Sequence, residues 1–147
     1  MQKQSGFSLI EVLVTMVIIS FGMLGIAGVI INGLKNNNSS YARTQASVLA
    51  NDIIDRMRAN KTTAELATRP YDLALANSPT GAGVPIDDLT EWRSSLATAM
   101  PSGTGSVSMD ATTKKVTVVV QWDDSRASSD SATTGLSNQQ VTIETRL

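Results

Sequence analysis

Cysteine and histidine are both absent from the 147 residues. That excludes zinc sites of the usual nitrogen and sulfur type, thiol nucleophiles, haem ligation and the Ser-His-Asp triad. Without a disulfide to restrain its unfolded state, any domain outside the cytoplasm has to be held by packing alone. Excess charge is scarce as well. Twelve Lys+Arg against thirteen Asp+Glu leave a net charge of -1, and no positive field gathers nucleic acid by counterion release. Asp123, Asp124 and Asp130 lack the Asp/Asn spacing and central glycine of a calcium loop, so the 123–138 segment reads as solvated. Nothing points to a Ser-Lys dyad. The chain therefore reads as a non-enzyme, with no catalytic residue, metal site or cofactor.

What is abundant is apolar sequence, and it is concentrated at one end. From Val12 to Ile31 there are twenty residues without a charge, broken only by Thr15, Ser20, Gly22, Gly25 and Gly28. As a helix such a run covers about 30 Å, the thickness of a bilayer hydrocarbon core. An ordinary secretory signal has a basic start, an apolar core of about 7–15 residues and a cleavage site after that core. Here one Lys precedes the run, the run is longer, and the attractive junction, Gly6/Phe7, lies in front of it. Cleavage there leaves the helix on the mature chain. It also turns the Phe7 nitrogen into an α-amine, with an ordinary pKa of about 8, four residues from Glu11. A carboxylate near an inserted helix costs about 2–3 kcal/mol unless it is paired or kept at the interface. The new amine supplies a partner within one helix or between neighbouring helices.

Gly6-Phe7-Ser8-Leu9-Ile10-Glu11 followed by the uncharged run resembles the class III signal of type IV prepilins. The resemblance implies that a membrane prepilin peptidase cuts after Gly6 and methylates Phe7, and that Glu11 serves register and charge pairing in assembly. Major pilins often carry a proline within this helix; here none precedes Pro70, and Gly22, Gly25 and Gly28 stand in its place. The glycines either let the helix unwind in a filament, at about 1 kcal/mol of lost helix stability each, or pack closely against a neighbouring helix.

Beyond the polar stretch 32–40 the pattern becomes amphipathic. Ala42, Ala46, Leu49, Ile53 and Met57, widened by Ala50 and Ile54, predict a helix that resumes or continues to Asn60 with one buried face. Asp52, Asp55, Arg56 and Arg58 fall on its polar side, for solvation, capping or subunit contacts. The segment 50–60 resembles the end of the N-terminal helix in PilV-type minor pilins. Residues 61–86, with Pro70, Pro79 and Pro85, read as an irregular connection holding at most one helical turn. Asp87-Asp88 would cap a helix to Ala99 with Leu89, Trp92 and Leu96 on one face. Strands follow: Val107 and Met109, then Val116, Val118, Val120 and Trp122, then Val141, Ile143, Thr145 and Leu147.

The expected fold is α+β and type IV pilin-like, a long helix packed on an antiparallel sheet of at least three strands. The expected division is a leader at 1–6, a transmembrane and filament-core helix at 7–31, its amphipathic continuation at 32–60, and a globular head at 61–147. The resemblance implies a minor pilin that primes pilus assembly with other minor pilins and the major pilin, and links a PilY-type tip adhesin. It would reside in the inner membrane with its head in the periplasm, then in the pilus at the cell surface. Two other readings stand beside it: a minor pseudopilin of a type II secretion system, which shares the leader chemistry, and a signal-anchored periplasmic protein.

Overall fold

The computed structural model describes residues 6–125 and 138–147. Leader residues 1–5, and within the 123–138 loop Asp130, lie outside the described residues. The chain divides into two compact units, Met1–Asn37 and Asn38–Leu147.

The first unit is helical from Leu9 onward, so the membrane helix expected from residue 7 begins two residues later. Helix α1 spans Leu9–Ala59, 51 residues, and its later portion belongs to the second unit. The helix continues through 32–40 rather than breaking and resuming. Within it Thr15 Oγ1 donates to the carbonyls of Glu11 (2.9 Å) and Val12 (2.8 Å), and Ser20 Oγ to that of Met16 (2.7 Å). These hydroxyls are satisfied inside their own segment, which is what a bilayer interior demands. Gly22, Gly25 and Gly28 are helical, and a Cβ at any of them would meet open space in the single chain.

The second unit is the head. Its sheet has the order β1-β2-β3, with β1 Thr104–Met109, β2 Lys115–Trp122 and β3 Gln139–Arg146. Both pairings are antiparallel, with Val107 opposite Val118, Met109 opposite Val116, and Val118 and Val120 opposite Ile143 and Val141. Period-2 alternation places these valines and Trp122 on one face. That face meets Ala46, Ala50, Ile53, Ile54 and Met57 of α1 in one buried cluster, completed by Leu89, Trp92 and Leu96. Val141, Ile143 and Leu147 are only partly buried, as befits an edge strand. The architecture is the expected α+β arrangement of a long helix on a three-stranded antiparallel sheet. Each large apolar side chain in this cluster contributes about 1.5–3 kcal/mol by burial, against about 0–1 kcal/mol for an exposed ion pair. Packing dominates.

Two local features differ from the sequence reading. The short α2 (Lys61–Ala64) is the single helical turn allowed for the connection, but α3 spans Val84–Ala99 and so starts three residues before Asp87. Pro85 is part of its first turn, where a missing N–H costs nothing. The N-cap is Gly83, at φ 105°, a conformation that glycine adopts freely. Asp87 and Asp88 therefore lie inside the helix and make no cap hydrogen bond. The β1–β2 turn is closed by Asp110, whose carboxylate accepts from the backbone N–H groups of Thr112 (2.8 Å) and Thr113 (2.9 Å). The Thr113 bond, then that of Thr112, holds the Asp110 carboxyl below its ordinary pKa.

Candidate processing and assembly site

Gly6 and Phe7 precede the helix and are exposed, Phe7 by 86%. A peptidase needs an extended, reachable peptide, and this junction has no helical hydrogen bonds to break. The Ser8 carbonyl accepts from the N–H groups of Glu11 (3.0 Å) and Val12 (3.3 Å), opening the first turn. Glu11 stands in that turn, where the positive end of the helix dipole favours a carboxylate. The junction and the carboxylate are thus four to five residues apart at the start of one apolar helix.

Along that helix Leu9, Ile10, Leu13, Met16, Phe21 and Leu24 are all more than half exposed in the single chain. Monomeric soluble proteins rarely expose a contiguous apolar surface of this kind. The helix is long and apolar enough to cross a membrane, and the leader with this helix fits an inner-membrane anchored pilin.

The four charged residues singled out near the end of α1 are engaged within the head. Arg56 contacts Asp52 (3.1 Å), Asp88 (3.4 Å) and Glu91 (2.7 Å), so it ties α1 to α3. The Glu91 contact foremost keeps its guanidinium protonated, raising its pKa. Arg58 pairs with Asp55 at 2.9 Å and donates to Thr145 Oγ1 at 3.3 Å. Sequence reasoning placed these residues on the polar face but missed what Arg56 meets, because Asp88 and Glu91 lie more than thirty positions away.

Two other polar centres went unread. Tyr71 is buried, donates to Asp88 Oδ2 (2.6 Å) and accepts from Asn60 Nδ2 (3.2 Å). Burial first, then the Asp88 bond, pushes its phenol up to about 12. Arg93 donates through Nη2 to the carbonyls of Ala74 (3.0 Å), Leu75 (3.1 Å) and Asn77 (2.8 Å), and through Nη1 to Thr104 Oγ1. It fastens the connecting loop to the sheet, and burial lowers its pKa. The one signal available was an arginine one residue from Trp92, at the edge of the apolar face of α3. No group of acidic or metal-binding side chains able to hold a metal ion occurs among the described residues.

Comparison with known proteins places a prokaryotic N-terminal methylation motif at residues 1–27. No curated protein and no solved structure matches the chain. The motif covers the junction, Glu11 and most of the apolar run. It indicates a type IV pilin-like or pseudopilin protein, processed by prepilin peptidase and assembling with pilin-type proteins in a membrane.

Proposed function

We propose that this chain is a minor pilin of the type IV pilus. It primes filament assembly with other minor pilins and the major pilin, and links a PilY-type tip adhesin. The observation that carries the reading is the Gly6/Phe7 junction in front of, rather than behind, an apolar helix with Glu11 in its first turn. Cleavage there would create the methylated Phe7 amine and retain the helix, which is useful only to a protein whose helix has a second role after insertion. The mechanism is non-catalytic. Helix burial supplies most of the association, pairing between Phe7 and Glu11 sets register, and the head selects neighbours. Head selection would draw on the surface around Asp52, Asp55, Arg56 and Arg58, whose opposite charges are already paired within the head. The resemblance of residues 50–60 to PilV-type minor pilins supports the pilus over the secretion pseudopilus.

The deciding experiment is mass spectrometry of the mature N-terminus with and without prepilin peptidase, paired with gene deletion. A chain beginning at methylated Phe7 only when the enzyme is present, and loss of surface filaments with secretion unchanged, is the expected result. Loss of secretion with filaments intact would move the chain to the pseudopilins. An uncut terminus would return it to the signal-anchored periplasmic proteins.

A further inference from the structure

The two edges of the head's sheet are finished differently. Leu73 and Val107 exchange both backbone bonds, at 2.8 and 2.9 Å, so the N–H and C=O of Val107 point away from β2. Along a strand these groups alternate between the two sides, and those of Ser106 and Ser108 therefore meet β2. The outward N–H of Met109 is taken as well, by Asp72 Oδ1 at 2.9 Å. The β1 edge is thus capped by the connection that Arg93 fastens. Carried through the register, the same alternation bonds Val116, Val118 and Val120 to Thr145, Ile143 and Val141. Gln140, Thr142, Glu144 and Arg146 then turn their backbone groups to the far side of β3. All four residues are exposed, and among the described residues no further strand pairs with them.

Such an edge is a template for another strand, and folds that avoid one blunt it with proline, lysine or a bulge. Gln139–Arg146 contains neither proline nor lysine and pairs with β2 residue for residue, without a bulge. What flanks the edge selects the strand that fits. Arg43 donates to Gln139 Oε1 at 2.8 Å and Arg58 to Thr145 Oγ1 at 3.3 Å, which brings two guanidinium groups from α1 to β3. Lys61 reaches the Leu147 carbonyl at 2.9 Å, and Arg146 and Lys115 stand opposite each other in the register. Asp55, Glu65 and Glu144 answer Arg58, Lys61 and Lys115, so among the described residues cations outnumber carboxylates along this margin. A second copy of the chain would set the same cations against themselves, which disfavours self-pairing. We propose that the β3 edge receives an extended segment of a partner protein as a fourth, antiparallel strand, with acidic side chains on alternate positions facing Arg43, Arg58 and Lys61. Backbone bonds supply affinity and the charge pattern supplies selection. Only the head enters this inference, so it holds for a pilus and for a secretion pseudopilus alike.

The test adds capped peptides, matched to β3 in length, to the full chain in detergent micelles and follows amide hydrogen exchange residue by residue. The probe alternates valine and glutamate; its control carries lysine at the glutamate positions. With the glutamate peptide bound, the amides of Gln140, Thr142, Glu144 and Arg146 should slow by about ten-fold or more. Those of Val141, Ile143 and Thr145, already bonded to β2, should stay as they were. The lysine peptide should bind at least about thirty-fold more weakly. Thr142→Pro removes one outward N–H and breaks no bond to β2, so the thermal melt should hold while binding of the glutamate peptide falls about ten-fold. Should that variant unfold, a glutamate peptide methylated on its valine nitrogens decides: in an antiparallel pair those nitrogens face β3, and their loss must abolish the protection. Equal binding of the two peptides, protection at other amides instead of these four, or no binding at all overturns the proposal. Undiminished binding by a folded Thr142→Pro, or by the methylated peptide, does the same.

Discussion

The hydroxyl of Tyr71 donates to Asp88 at 2.6 Å, and the same carboxylate receives Arg56 from α1 at 3.4 Å. Three separate parts of the chain, α1, the connection after α2 and the first half of α3, thus converge on one aspartate. The connection has little apolar surface of its own to bury, so this polar junction and the Arg93 contacts hold it in place.

Tyr71→Phe keeps the buried ring but removes the donor to Asp88 and the acceptor for Asn60 Nδ2. The expected loss is about 1–3 kcal/mol of unfolding free energy in a denaturant titration. The phenol adds a pH signature. Its folded pKa is raised from 10.0 to about 12, so the folded state holds the proton more tightly than the unfolded state. The contribution is complete below pH 10.0 and is lost as pH climbs towards 12. At 1.36 kcal/mol per unit this is roughly 2–3 kcal/mol. Denaturant midpoints of the unaltered chain should therefore fall more steeply across that alkaline range than those of Tyr71→Phe. Parallel slopes would remove the linkage.

Arg93→Lys retains the charge but offers one nitrogen on a shorter stem in place of the guanidinium's two, so it cannot hold the three carbonyls and Thr104 together, and the variant separates geometry from charge. A loss of about 2–4 kcal/mol is expected, since Ala74, Leu75 and Asn77 lose their shared donor. The readout is local. Leu73 and Val107 exchange backbone bonds of 2.8 and 2.9 Å, and their amides should lose hydrogen-exchange protection before those of β2. Uniform loss of protection across the sheet would contradict the assigned fastening role.

How far the fold was legible follows from periodicity. The stripe from Ala46 to Met57 and the alternation of Val116, Val118, Val120 and Trp122 are local patterns, and each is set by one element's own geometry. The start of α3 is hard to place from sequence because Pro85 reads as a breaker, although at a first turn proline is tolerated and Gly83 supplies the entry. The Asp87-Asp88 pair looked like a cap for the same reason. Arg93 and Tyr71 were invisible because their partners are carbonyls or side chains from distant segments, a relationship that no spacing encodes. The N-terminal methylation motif is the most legible feature, since junction, carboxylate and apolar run are contiguous in sequence.

Gly105→Ala tests the fit of α3 on β1. A Cβ at this position would strike the Trp92 ring and stand 2.9 Å from the Val119 carbonyl and 3.0 Å from Leu96 Cδ1. The first contact requires a buried indole to move, and that indole is tethered by its bond to the Leu49 carbonyl at 2.8 Å. Overpacking of about 1–3 kcal/mol is expected, with a shifted near-ultraviolet tryptophan signal. Gly81→Ala, where the nearest atom is Ile86 Cγ1 at 3.6 Å, meets no such obstacle. Its cost comes from the backbone at φ 120° instead, so its tryptophan signal should stay unchanged.

Glu11→Gln bears on what the carboxylate is for. If it only sits at the interface, its charge costs little there and its removal changes little, so membrane retention and assembly should hold. If it pairs with the Phe7 amine of a neighbouring chain, insertion and cleavage persist because the Gly6/Phe7 junction is untouched, while filament incorporation collapses. We expect the second outcome, with mature chain accumulating in the membrane fraction and incorporation reduced at least about ten-fold, a loss of 1.4 kcal/mol or more per subunit contact. Quantitative blots of sheared filaments against membranes measure the ratio. The sharper control is Glu11→Asp, which keeps the charge but withdraws it by one methylene: recovery of part of the incorporation assigns the effect to charge pairing, whereas equal failure of both variants means that the contact needs the reach of the glutamate as well as its charge.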